Sequence, residues 1–373
     1  MNADTDAVGE GVIRRMLAAA SERHFKNVLV LHGRAFAAAL SAIQHDIDIQ
    51  NLICISNIPS NPDIDFIASL STTLPLRQLD LIVAIGGGSV IDTSKLLLAI
   101  AMGTSAFDLL RNEIRGKDRP LFWVAPTTAG SGSEATHFAV AYQNGRKYSV
   151  AHDTLLPDWT VLDASLTITC PPSVTIASGV DAFCQSIESF WSPKATDTSR
   201  SYALSALQII PDNLTLVLTT PAHHAARQNL LRAANLAGKA INITKTTAGH
   251  ALSYGLTAEL GIPHGIAVLL VMGPLIQLMA QKYGFFRDSS AALDKVLMPW
   301  GSDFVAGFMA FQKCMLDAYR RVLGEMRFNI SGTQMMRLME QVNIERLKNH
   351  PVALTSSDIA NIYAAIFETR ERL

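Results

Sequence analysis

Four apolar runs near the start of the chain, "NVLVL" (27–31), "NLICIS" (51–56), "DLIVAI" (80–85) and "LFWVA" (121–125), most constrain what it can fold into. Each is strand-length and lacks polar alternation, the pattern of a strand buried on both faces. The segments between them, such as "RAFAAALSAIQHD" and "NPDIDFIASLSTTL", are long enough for crossover helices. This β-α alternation predicts a mainly parallel sheet covered on both sides, over residues 1–165. Ligands of such sheets gather at the carboxyl ends of the strands. Weaker β-like stretches, "HFAVAYQ" and "YSV" before "DWTVLD", predict an antiparallel addition with a hairpin near Gly145. From about Leu166 the texture changes to Ala-, Leu-, Ile- and Met-rich segments with apolar repeats at three and four, so 166–373 reads as an all-helical second domain. The active site is expected in the cleft between the two.

At 373 residues, 49% of them apolar, the chain has material for two ordinary cores. Lys and Arg number 31 against 32 Asp and Glu, which gives no electrostatic reason to expect nucleic acid or an anionic membrane as partner. A small molecule is the expected ligand. The opening residues do not read as a secretory signal. The longest apolar run, 266–280, contains Gly273, Pro274 and Gln277 and reads as a buried helix with a kink or break, not a membrane span. Cys54, Cys170, Cys184 and Cys314 have no paired spacing and read as buried thiols of a cytoplasmic protein.

Gly86, Gly87 and Gly88 follow the third strand and lead into "SVIDTSK". Glycines let a backbone approach a pyrophosphate, and the amides opening the next helix supply donors and positive dipole. The spacing matches neither G-x-G-x-x-G nor the P-loop, and a tight structural turn also fits. A second polar turn, "APTTAGSGSEAT" (125–136), follows the fourth strand and offers Thr127, Thr128, Ser131 and Ser133 at the same sheet edge. In the helical half, Asp181, Gln185 and Glu188 recur on one helix face, and His250 and Tyr254 lie one turn apart. Asp181, His250 and His264 offer oxygen and imidazole ligands suited to zinc or ferrous iron. Helix caps or hydrogen bonds in a cleft would use the same residues.

Taken in order, "GGGSVIDTSK", "PTTAGSGSEAT", "GVDAFCQSIESF" and "AGHALSYGLTAELGIPHG" resemble the iron-containing (group III) alcohol dehydrogenases over nearly the whole chain. The resemblance implies an α/β plus all-α fold: a Rossmann-like dinucleotide-binding domain, then a C-terminal helical domain, as in the dehydroquinate synthase-like scaffold. It implies reversible hydride transfer between NAD(P) and a small aldehyde or alcohol, commonly in a homodimer. Carried over by position, Gly87, Gly88 and Ser89 embrace the pyrophosphate and Asp92 lies near the nicotinamide. Thr127, Thr128 and Ser131 line the cofactor, and Lys147 reaches its ribose. Gly33 stands where NAD-preferring members often carry an acidic residue, and Arg34 after it offers a guanidinium to a 2′-phosphate, so NADP(H) is expected to be favoured over NAD(H).

Asp181, His250 and His264 occupy three of the family's four metal positions, and the fourth, usually histidine, is Gln185. Tyr254 also stands where metal-dependent members often have histidine. A divalent ion, iron or zinc, is therefore expected to be weakly held or absent, as in the related maleylacetate reductases. Without one, His250 or Tyr254 is the expected proton donor. The segment "CQSIESFWSPKATDTSRSYA" is similar to the phosphonoacetaldehyde reductase branch. The alternatives on this scaffold are a metal-dependent lyase, a polyol-phosphate dehydrogenase, or a catalytically weakened nucleotide-binding protein.

Overall fold

The computed structural model describes residues 6–33, 36, 49–116, 118–286, 291–324 and 330–368. The four apolar runs become β2 (Asn27–His32), β3 (Asn51–Ile55), β4 (Leu81–Gly86) and β5 (Leu121–Pro126). With β1 (Asp6–Val8) and β8 (Trp159–Leu162) they form a six-stranded sheet in the order β1-β8-β5-β4-β2-β3, every described pair parallel. Alternate side chains feed two cores. Leu29, Leu31, Ile82, Ala84, Phe122 and Val124 pack on one face with the Ile64–Thr72 and Gly88–Ala101 helices. Val28, Val30, Leu81, Val83, Ile85 and Trp123 pack on the other with the Val12–Glu22 helix. Covering both faces is what parallel strands require. Asp63 caps the Ile64–Thr72 helix by accepting from the Asp65 amide at 2.9 Å. The expected crossover helix in "RAFAAALSAIQHD" falls largely outside the described residues.

The expected antiparallel addition forms as a separate hairpin, β6 (Phe138–Gln143) with β7 (Arg146–Ala151). Asn144 and Gly145 turn it with φ of 50° and 74°, the left-handed pair that suits a tight hairpin. "DWTVLD" instead enters the main sheet as β8, between β1 and β5.

Compact units span Met1–Cys170 and Pro171–Leu373. Among the described residues the second is entirely helical. Its long helices are Pro172–Trp191, Asp197–Thr219, His224–Thr244, Ala248–Leu260, His264–Gln281, Phe304–Leu323 and Ser356–Glu368. The apolar run at 266–280 is a buried helix as expected, and of the kink or break foreseen there is no break: His264–Gln281 is one helix through Pro274. A proline cannot donate to the preceding turn and crowds its carbonyls. The carbonyl left without its helical donor is that of Leu270; beside it, Gln312 on the Phe304–Leu323 helix donates to the Leu269 carbonyl at 2.6 Å. This helix alone among the described ones is long and apolar enough to cross a membrane, and most of it is buried inside the protein. None of the four cysteines is in a disulfide, and only Cys184 is buried; Cys54, Cys170 and Cys314 are half-buried, contrary to the expectation for all four.

Candidate active site

In the N-terminal unit Gly33 and the two expected cofactor loops lie at one sheet edge. β2 and β4 are neighbours although β3 intervenes in sequence, so the chain reverses its direction of sheet growth there. The carboxyl ends flanking such a reversal leave a crevice. Gly33 ends β2 with its amide donating to the Ile85 carbonyl at 2.9 Å, and the Thr127 amide donates to Gly86 at 3.0 Å. Three adjacent strands thus bring Gly33, Gly87–Ser89 and Thr127–Ser131 side by side. Arg34 lies outside the described residues.

Gly87 caps the Gly88–Ala101 helix, and its carbonyl accepts from Val90 and Ile91. The Gly88 and Ser89 amides precede those first intrahelical bonds, the position from which helix N-termini bind anions. The two loops press together: a Cβ on Gly88 would lie 3.0 Å from Ser131 Oγ, and one on Gly87 3.4 Å from Thr128 Oγ1. Ser89 Oγ accepts from the Asn61 amide at 3.4 Å. Asp92 does not present a free carboxylate. It accepts from Ser133 Oγ at 2.5 Å and from the Val140 amide at 3.1 Å, a bracing position. Burial pushes its carboxyl above the usual range, against the opposing pull of Lys95, those two hydrogen bonds and Lys147. Lys147 is half-buried on β7.

The helical unit assembles the second group of residues. Asp181 and Gln185 share a face of the Pro172–Trp191 helix, and Gln185 Nε2 donates to Asp181 Oδ2 at 3.0 Å. His250, on the Ala248–Leu260 helix, sets Nε2 3.2 Å from Asp181 Oδ1. His264 opens the His264–Gln281 helix with its ring centroid 5.3 Å from that of His250, and the half-buried Tyr254 ring lies 5.9 Å from His264. Gly265 permits this approach. A Cβ there would lie 1.8 Å from the Ala177 carbonyl oxygen, so only glycine lets the two helices touch beside Asp181.

Glu188 had a place in the polar stripe but no expected role; the structure gives it one. Fully buried, it accepts from the Thr247 amide at 3.0 Å, Thr247 Oγ1 at 2.8 Å, the His250 amide at 3.2 Å, and His250 Nδ1. Trp191 Nε1 in turn donates to Thr247 Oγ1 at 3.0 Å. Holding Nδ1 in this way orients the ring and directs Nε2 at Asp181, the carboxylate–imidazole arrangement common behind metal-bound histidines. Burial would lower the His250 pKa, but the Glu188 carboxylate and the hydrogen bonds to Asp181 and Glu188 outweigh it and hold the imidazole at about 10.

One ligand atom from each of Asp181, His250 and His264 lies within 4.8 Å of the other two. Ligands at tetrahedral zinc lie about 3.4 Å apart, so modest closure would complete a three-ligand grip. One carboxylate and two imidazoles fit zinc or ferrous iron by donor chemistry. The neutral Gln185 amide adds less than an imidazole would, and Gln185→His should raise the affinity for zinc. Loading the ion must also displace the proton from His250. Below pH 10, zinc affinity should therefore rise about tenfold per pH unit, with release of about one proton per ion. Isothermal titration in two buffers of different ionisation enthalpy measures that proton; zinc binding with no pH slope would contradict the ligand set.

Comparison with known proteins agrees with both halves. A family model described as iron-containing alcohol dehydrogenase matches residues 7–164, and one for the C-terminal part of the same family matches 175–367. The chain is 31% identical over 309 residues to long-chain-alcohol dehydrogenase 1 of Geobacillus thermodenitrificans, covering 78% of this chain and 75% of that protein. It is 33% identical over 255 residues to phosphonoacetaldehyde reductase of Streptomyces viridochromogenes, covering 66% and 64%. The crystal structure of sulfoacetaldehyde reductase from Bifidobacterium kashiwanohense in complex with NAD+ shares the fold, with a TM-score of 0.82 at 24% identity over 98% and 97% of the chains. These relatives differ in the alcohol or aldehyde named, and no branch stands out. The two matched models together span most of the chain, and on that ground it belongs to the iron-containing alcohol dehydrogenase family, nicotinamide-dependent oxidoreductases of alcohols and aldehydes.

Proposed function

We propose that the protein reduces a small aldehyde with a nicotinamide nucleotide, and that phosphonoacetaldehyde is the first substrate to test. The observation that carries this reading is the buried Asp181–His250–His264 group, with Glu188 fixing the ring of His250. In this reading Gly87, Gly88 and Ser89 bind the pyrophosphate through backbone amides, while Thr127, Thr128, Ser131 and Lys147 line the same nucleotide. A bound nucleotide would supply the hydride, and Asp181, His250, His264 and Gln185 would hold an ion that, when bound, would supply carbonyl polarisation. Glu188 keeps His250 oriented, and the burial of this group strengthens its electrostatic action on a developing alkoxide. His250, protonated in the ion-free protein, and Tyr254 are the candidate donors of the proton that the alkoxide takes.

The cofactor preference is part of the proposal. Gly33 puts no side chain at the end of β2, and a carboxylate there is what would hold a ribose 2′-hydroxyl. NADPH is expected to bind more tightly than NADH. One panel tests both parts: nucleotide oxidation with phosphonoacetaldehyde, sulfoacetaldehyde, short aliphatic aldehydes and a long-chain aldehyde, using each nucleotide. Fastest turnover on the long-chain aldehyde would overturn the small-substrate reading, and equal or tighter NADH binding would overturn the preference.

A further inference from the structure

Lys95 closes the "GGGSVIDTSK" segment and has no part in the chemistry above, yet its side chain is fully buried. Its Nζ donates to the carbonyls of Ser133 at 2.6 Å, Thr136 at 2.6 Å and Phe138 at 2.7 Å, with Thr136 Oγ1 at 3.3 Å. These acceptors lie on the second polar turn and on the first residue of β6. One helical turn earlier, Asp92 takes Ser133 Oγ and the Val140 amide from the same stretch. One face of the Gly88–Ala101 helix therefore grips the second turn and the strand after it at both donor and acceptor sites. The helix's own N-terminus is the pyrophosphate end.

We propose that Lys95 is a positioning residue that locks the 127–136 turn against the Gly88–Ala101 helix, so that both nucleotide loops are held in register before the nucleotide arrives. The proposal rests on the nucleotide-binding reading of these loops. An ammonium has three N–H donors and here meets three carbonyls. A neutral amine has two donors and a lone pair, which would face one carbonyl with no hydrogen between them.

Such a lock should be sensitive to mild alkali. Burial lowers the Lys95 pKa to about 8, and the charges of Asp92 and Glu134 only partly oppose it. The charged groups acting here are Asp92 on the same helix, Glu134 in the turn, and Lys147 of β7, which acts on Asp92. The folded value lies below the ordinary 10.5, so the unfolded chain holds more protons between pH 8 and 10.5. Loss of this proton therefore favours the fold as pH rises while it releases the turn. Loosening of the turn and global unfolding are separable on this account.

The test pairs Lys95→Met with a pH series on the wild type. At pH 7 the variant should bind NADPH about tenfold or more weakly, the loss expected for charge-assisted hydrogen bonds that preorder a site. Its kcat at saturating nucleotide should stay near wild type, and amide exchange in residues 127–138 should be faster. Wild-type NADPH affinity should fall several-fold as pH passes through 8, with the slope absent in the variant. A folded variant with unchanged affinity and exchange overturns the lock. If the variant does not fold, wild-type affinity that stays flat from pH 7 to 9.5 overturns it equally. Failure of the wild type to bind either nucleotide at any pH would instead defeat the functional reading, whatever the exchange shows.

Discussion

Replacing His250 by alanine should lower kcat by about 10²- to 10⁴-fold, the range for loss of a positioned acid or base, with little change in nucleotide affinity. Three contacts make the effect this large. Nε2 meets Asp181, Nδ1 meets Glu188, and the ring lies within reach of His264. Removing the ring takes away a proposed metal ligand and, in the ion-free protein, the protonated imidazole. It also leaves Glu188 fully buried without its cationic partner, a change that costs about 3–5 kcal/mol when a buried pair is broken. Activity should accordingly be measured well below the variant's melting temperature. Wild-type turnover in a folded His250→Ala protein would mean that the chemistry lies elsewhere. A loss of nucleotide affinity equal to the loss of turnover would count against assigning the nucleotide to the N-terminal loops.

Gly265→Ala should be nearly as damaging, although this residue has no functional group. The added methyl would sit 1.8 Å from the Ala177 carbonyl oxygen and 3.0 Å from Asp181 Cβ. Backbone cannot rotate aside as a long side chain can, so the His264–Gln281 helix must move off the Pro172–Trp191 helix. The expected cost is about 3 kcal/mol, the upper end of overpacking penalties. Because His264 is the first residue of the displaced helix, affinity for added zinc should fall with stability. Thermal melting together with zinc titration reads both. A variant that melts at the wild-type temperature and binds added zinc as tightly would show that the helix contact is not needed to form the group.

Much of the N-terminal unit was readable because its signals are local. A strand buried on both faces must be a continuous apolar run, and β2, β4 and β5 each contain one of four or more residues; the edge strand β3 carries the same run although it is only half-buried. β1 has three residues and β8 four, too few to display a period, and both owe their place to neighbours supplied by the rest of the sheet. Pro274 left a kink or a break open for a related reason: its local effect is to remove one helical donor, whereas the helix continues through it packed against the Pro172–Trp191 and Ala248–Leu260 helices.

The sequence by itself determined the composition of the candidate site. Helical spacing puts Asp181, Gln185 and Glu188 on one face, and strand ends followed by glycine or hydroxyl residues put two polar loops at one sheet edge. Periodicity reports which residues share a face, not what that face meets. Only the tertiary structure decided that Glu188 would hold His250, 62 residues away, and so set which ring nitrogen faces Asp181. It likewise set the Asp92 carboxylate against Ser133 Oγ and the Val140 amide, and gave Lys95 carbonyls 38 to 43 residues distant. Burial is the physical reason. Once a charged group leaves water it must find its partners among whatever the fold packs around it, and that neighbourhood is not written in the spacing of its own segment.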